Sequence, residues 1–246
     1  MVEKLRLKHL DTILGEQQDH ASIMMDVLGY KNRWFNRKRV FVKYMRDCLE
    51  IVAQAQQIDP TKIEYSEECD IKKPKSIDSI SYRAMLEIQS LTGNSSDKSM
   101  GEAITMIIAT ACYGANHKGD YDSESLLFKS FIHKVKNSPL LEMFGLYNWI
   151  SDQVKESQDR WDRLFLEVYI EDEDYQLAGG NRMSQFNVIN TIKSICQDFN
   201  VDYDAAWQMP YAVVQANSLS GATSGYIQTQ MSRIKEEKMK RQRATS

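Results

Sequence analysis

Between Lys31 and Arg46 the sequence places seven basic residues, Lys31, Arg33, Arg37, Lys38, Arg39, Lys43 and Arg46, with no acid among them. Such charges neutralise phosphates, and each one neutralised adds to a salt-dependent affinity. Tyr30, Trp34, Phe35, Phe41 and Tyr44 are interleaved with them and offer flat faces on which unpaired bases stack. Arg33, Trp34, Arg37, Lys38, Arg39 and Lys43 are therefore the candidate nucleic-acid contacts. The whole chain carries a formal charge of −3, so nucleic-acid binding has to come from local patches. The plainer reading, which we prefer, is a helix end whose rings pack inward and whose basic heads face water.

No other residue group carries a compact catalytic signature. His9, His20, His117 and His133 are scattered, and no nucleophile elbow, HExxH helix or glycine-rich phosphate loop occurs. Cys48, Cys69, Cys112 and Cys196 lie far apart with no CxxC pair, which fits neither a disulfide framework nor a zinc site. They read as reduced thiols of a cytoplasmic protein. The acidic run Glu171–Asp174 supplies oxygen ligands of the kind hard cations favour, but lacks the alternating spacing and central glycine of a calcium loop. The expectation is a chain without catalytic residues, metal or cofactor.

The C-terminal third offers apolar surface instead. Trp207, Met209, Pro210, Tyr211 and Val214 are crowded around a proline, which removes a backbone donor and fixes a bend. Large side chains at such a corner either close the core or anchor a partner helix, a task suited to methionine and aromatics. Further on, Ile227, Met231 and Ile234 share one face of a charged segment rich in Lys and Arg. That face is too thin for the segment to fold alone, so it is expected to order on a partner.

Helices must position these groups. With four prolines and eleven glycines in 246 residues, breakers are scarce. The expected class is mainly α: a multi-helix domain with at most one or two short strands, a small C-terminal helical subdomain and a charged helical tail. Stripes at Leu5–Leu14 and Ile23–Leu28, and from Val40 to Ile58, give N-terminal helices over residues 1–59. Asp59-Pro60 ends the third, because the residue before proline leaves the helical region. Residues 60–76 read as a connection. Central helices over 77–175 include one opened by "SMGE", where Ser99 and Glu102 form a capping box ahead of "AITMIIATACY". Pro139 opens another. Phe165–Ile170 reads as a strand, or as a helix end turning into one. The main domain is thus expected over 1–175 and the subdomain over 176–225. Within the latter, one helix runs from Asp202 to Asn217 with Pro210 inside, followed by a "SLSGATSG" linker. The tail is 226–246. No run of eighteen apolar residues occurs, so no membrane span is expected, and the start lacks the pattern of a signal peptide.

A helical chain of this length, with a "SMGE"-led apolar helix and the segment Trp207-Gln208-Met209-Pro210-Tyr211 before a charged tail, resembles the tail-assembly proteins of contractile-tailed bacteriophages. The likeness is to baseplate hub assembly proteins of T-even-type phages, whose role is similar to that of tape-measure chaperones. It covers residues 80–243. It implies a non-enzymatic assembly factor in the host cytoplasm that holds apolar helical segments of a hub or tape-measure protein. Trp207, Met209, Pro210 and Tyr211 would form the contact, with Ile227, Met231 and Ile234 as a second strip.

Overall fold

The structure, a computed structural model, describes residues 2–15, 19–28, 38–93, 98–169 and 186–244. Ten α-helices run through them: α1 (Leu10–Ile13), α2 (His20–Asp26), α3 (Lys38–Gln56), α4 (Tyr82–Gly93), α5 (Met100–Asn116), α6 (Leu126–Lys136), α7 (Leu140–Glu167), α8 (Asn187–Phe199), α9 (Tyr203–Gln208) and α10 (Tyr211–Ala244). Short 3₁₀ turns supplement them, and no strand occurs among the described residues; an isolated β-bridge joins Arg6 to Pro139. The chain is mainly α, as its patterning implied.

Two compact units divide the chain, Met1–Val154 and Lys155–Ser246, so the division falls inside α7. The boundary expected near residue 175 lies outside the described residues, as do the acidic run Glu171–Asp174 and Gly179-Gly180. The strand expected from Phe165 is corrected, since α7 stays helical to Glu167. Only Val168 and Ile170 of that stretch are β-branched. Val154, Ser157, Trp161, Leu164 and Phe165 recur at spacings of three and four, which keeps one helical face turned inward, and Val154 and Ser157 are buried.

In the first unit α5 is central, packed between α4 and α6, while α3 packs on α1 and α2. Its residues Ile104, Ile107, Ile108, Ala109, Ala111 and Cys112 are buried. Tyr113 sits among Phe128 and Phe131 of α6 and Tyr121 of the preceding loop in edge-to-face contacts, with ring centroids 5.5 to 6.1 Å apart. Aromatic pairs prefer this geometry because ring edges are positive and faces negative. The Tyr121 hydroxyl donates to the Glu87 carboxylate of α4, and burial, helped by that bond, holds its pKa well above the usual phenol value.

The start of α5 shows how the N-terminal segment is attached. Ser99 caps it as expected, its hydroxyl accepting from the Glu102 amide at 3.2 Å. The second half of the cap comes from elsewhere in the chain. The buried Asp11 carboxylate of α1 accepts from the Gly101 amide at 2.7 Å and from the Ser99 hydroxyl at 2.8 Å. An anionic group is favoured there, because the first amides of a helix point outward unpaired and carry its positive dipole end. Gly101 makes room for it: a Cβ at that position would stand 2.6 Å from Asp11 Oδ1.

The same segment is held at further points. The Leu7 amide donates to the Ser138 carbonyl at 3.1 Å, and the Leu140 amide to the Leu5 carbonyl at 2.9 Å. Gln56 at the end of α3 donates to the Ile13 carbonyl. Leu5, Leu7, Leu10 and Ile13 are buried as their stripe implied, while Leu14 is 45% exposed. His9 is buried as well, with Nδ1 accepting from the Arg6 amide at 3.0 Å. That bond leaves Nε2 as the protonated nitrogen, and it faces Asp26 Oδ2 at 3.3 Å. Lys8 pairs with the same carboxylate.

The connection 60–76 is irregular but closely held. Asn148 of α7 donates to the carbonyls of Pro60 (2.7 Å) and Ile63 (3.0 Å). Asn116 at the end of α5 exchanges two bonds with Lys72, accepting from its amide at 3.1 Å and donating to its carbonyl at 2.8 Å. Gly145 lets the strap lie directly on α7, since a Cβ there would meet the Glu64 carbonyl carbon at 2.7 Å. Cys69 and Ile71 of the strap are buried. Burial pushes the Cys48, Cys69 and Cys112 thiols above their usual range, so these three stay protonated and unreactive.

The second unit is built on α8, α9 and α10, with α8 in contact with both others. The expected helix 202–217 is corrected to two helices, because Met209 is extended (φ −62°, ψ 145°) ahead of Pro210. Pro210 stands just before α10, and its carbonyl accepts from the Val213 and Val214 amides. The expected linker is corrected too: α10 runs unbroken through "SLSGATSG". Glycine and serine weaken a helix by about 1 kcal/mol per residue at most, and no proline interrupts the stretch.

Candidate functional site

The corner that carries the expected anchor residues is shaped by three local devices. Asn200 ends α8 in the left-handed conformation (φ 50°), its amide donating to the Cys196 carbonyl. Asp202 then caps α9, accepting from the Ala205 amide at 2.7 Å. Finally, Asn217 of α10 donates to Asp198 Oδ2 of α8 at 2.8 Å, and Ser194 donates to the same oxygen at 2.9 Å. Those donors hold the Asp198 carboxyl below the usual carboxylate range, Asn217 contributing most.

The expected contact residues divide sharply by exposure. Tyr211 (4% exposed) and Val214 (0%) are buried, with Ile192, Ile195 and Ala206. Their side chains are turned into the corner and away from its surface. Trp207 and Met209 are half-buried and Pro210 is exposed. The Trp207 ring stands edge-on to Tyr203, one turn back on α9, with centroids 6.1 Å apart. Two further aromatics on the turn were missed from sequence: Tyr203 is 52% exposed and Phe199 43%. Their signal was an aromatic on each side of Asn200-Val201-Asp202, a turn that must reach the surface. Three acids, Asp198, Asp202 and Asp204, are exposed beside them.

The second expected site is laid out along α10. Ile227, Met231 and Ile234 are each 51% exposed, and every described residue from Met231 to Gln242 is exposed. A spacing of four and then three places the trio on one face, continued by Lys238 and Arg241. The basic residues of this end are Arg233, Lys235, Lys238, Lys240, Arg241 and Arg243, against Glu236 and Glu237.

Of the nucleic-acid candidates, Arg33, Trp34 and Arg37 lie outside the described residues. Lys38 and Arg39 open α3, with side chains outside the description, and Lys43 is exposed on that helix. Between α5 and α6 a shallow groove of about 230 Å³ is lined by Lys98, Glu102, Thr105, Met106, Ile132 and Lys136. Its one hydroxyl, that of Thr105, donates to the Gly101 carbonyl at 2.6 Å. No cluster of three or more His, Cys, Asp or Glu able to hold a metal occurs among the described residues, and none of their helices is long and apolar enough to cross a membrane. Compared with protein-family models, curated proteins and solved structures, the chain matches none.

Proposed function

We propose that this chain is a non-enzymatic assembly factor that receives an apolar helical segment of a partner on α10. The partner proposed from the resemblance is a hub or tape-measure protein of a phage tail baseplate. The observation that supports the reading is the outer part of α10, where Ile227, Met231 and Ile234 stand half-exposed in a row on a polar, charge-rich helix. Covering the exposed half of three such side chains is worth about 1 kcal/mol each. Once the cost of association is subtracted, that supports transient capture and not a permanent complex. A factor that must hand its client on needs contacts of this strength.

The test is co-purification with a tail-hub or tape-measure client, comparing the wild type with a Met231→Ser, Ile234→Ser variant. Both substitutions lie at exposed helix positions, so circular dichroism should be unchanged. Loss of the client supports the reading, and undiminished recovery overturns it. A second reading, nucleic-acid binding, draws on the exposed cations of the same helix. It requires oligonucleotide affinity that falls steeply with salt and is insensitive to the Met231 and Ile234 changes.

A further inference from the structure

The second unit carries two surfaces of opposite character. One is the turn between α8 and α9, where Phe199 and Tyr203 are half-exposed and Asp198, Asp202 and Asp204 surround them. The other is the outer face of α10, where Ile227, Met231 and Ile234 give way to Lys238 and Arg241, with Lys235 alongside. Each offers apolar side chains ringed by charge, and the signs are complementary. We propose that these surfaces mate between two copies of the chain, the basic strip of one docking on the acidic aromatic corner of the next.

The geometry excludes the same contact within one molecule. Asn217 ties α10 to Asp198 at the corner. From there the helix runs on unbroken, so Ile227 stands about 15 Å further along the axis at a rise of 1.5 Å per residue, and Arg241 about 36 Å. A continuous helix cannot turn back on its own corner, so strip and corner can meet only between molecules. Two strips facing each other are disfavoured, because both are basic. The resulting contact is head-to-tail, a different patch on each partner, so it leaves one corner and one strip unfilled at the ends of any open assembly. It deepens the proposed function, because a second copy covers the strip that a client would occupy and a client has to displace it.

Charge-paired docking of this kind weakens with salt, as the screening length shrinks from about 10 Å at 0.1 M to about 3 Å at 1 M. Sedimentation velocity on the full chain should therefore show concentration-dependent association in low salt that reverts to monomer in high salt. Two variants separate the surfaces. Tyr203→Ala with Asp204→Lys spoils the corner while leaving the Asp202 cap in place; Met231→Ser with Lys238→Glu spoils the strip. Each alone should remain monomeric at concentrations where the wild type associates. Their equimolar mixture should form a 1:1 dimer that grows no further, because it contains one intact corner and one intact strip.

A wild type that stays monomeric in low salt overturns the proposal, and so does association that survives in either variant or a mixture that stays monomeric. Circular dichroism on each variant confirms that helix content is retained. Client binding is read separately by co-purification with the corner variant, whose strip is intact. Capture by that variant together with a monomeric wild type refutes self-docking alone. Self-docking without client capture refutes the assembly role alone.

Discussion

Replacing Gly101 by alanine should change sign with the residue at position 11. In the wild type the added Cβ would lie 2.6 Å from Asp11 Oδ1 and 2.9 Å from Asp11 Cγ, so the carboxylate has to move. It is buried, and it holds the Gly101 amide at 2.7 Å and the Ser99 hydroxyl at 2.8 Å. Hydrogen bonds to a charged group are worth about 1.5–3 kcal/mol each. Glycine to alanine inside a helix returns about 0.5–1 kcal/mol. The net expectation is a loss of roughly 2–5.5 kcal/mol, which for a chain of this size lowers Tm by about 4–22 °C. In an Asp11→Ala background the three atoms nearest the methyl group are gone, and Gly101→Ala should stabilise by about 0.5–1 kcal/mol. Urea denaturation of the four proteins of this cycle, followed by circular dichroism, measures both numbers. The same loss in both backgrounds would refute the claim that Asp11 makes position 101 a glycine.

His9 should make stability acid-sensitive. Burial, the largest cause, holds its pKa below the ordinary 6.5, so the unfolded chain binds the extra proton first and stability falls as pH drops through 6.5 toward the folded value. The contribution is fully present above 6.5. Asp26 does not titrate in that window, because Lys8, its main partner, keeps its carboxyl below 3.8. His9→Asn, which keeps an acceptor for the Arg6 amide, should flatten the slope of stability between about pH 7.5 and 5.5; an equal slope in both proteins would show that other groups cause it. Gly221 and Gly225 stand in helix with open space where a Cβ would be, so changing each to alanine should stabilise α10 by about 1 kcal/mol. Reduced helix content or stability in that pair would mean that the stretch is not continuous helix.

What the sequence made readable was local. The Ser99 cap, the helix after Pro139 and the apolar run of α5 are all set by residues a few positions apart, and periodicity reports them. The partner of that cap was hidden because Asp11 lies 90 residues away, where spacing carries no signal. The run "SLSGATSG" misled because its composition favours a linker, while Asn217 and the packing of α10 on α8 favour helix. At the corner, residue type identified apolar groups but not their direction. Tyr211 and Val214 turned inward, whereas Phe199 and Tyr203, residues of the same kind, faced water.

The long reach of the Asp11 contact also governs the order in which the molecule can be completed during synthesis. A ribosome adds about 5–20 residues per second, so the 90 residues between Asp11 and Gly101 take roughly 5–18 s to follow. Once they emerge from the exit tunnel within that interval, Leu5, Leu7, Leu10 and Ile13 have no groove to enter, since the carbonyl of Ser138 and the first turn of α5 do not yet exist. Residues 5–13 are therefore seated only after Gly101 and Ser138 have followed them. The newborn chain spends those seconds showing the same kind of greasy stripe that it is proposed to shield in another protein.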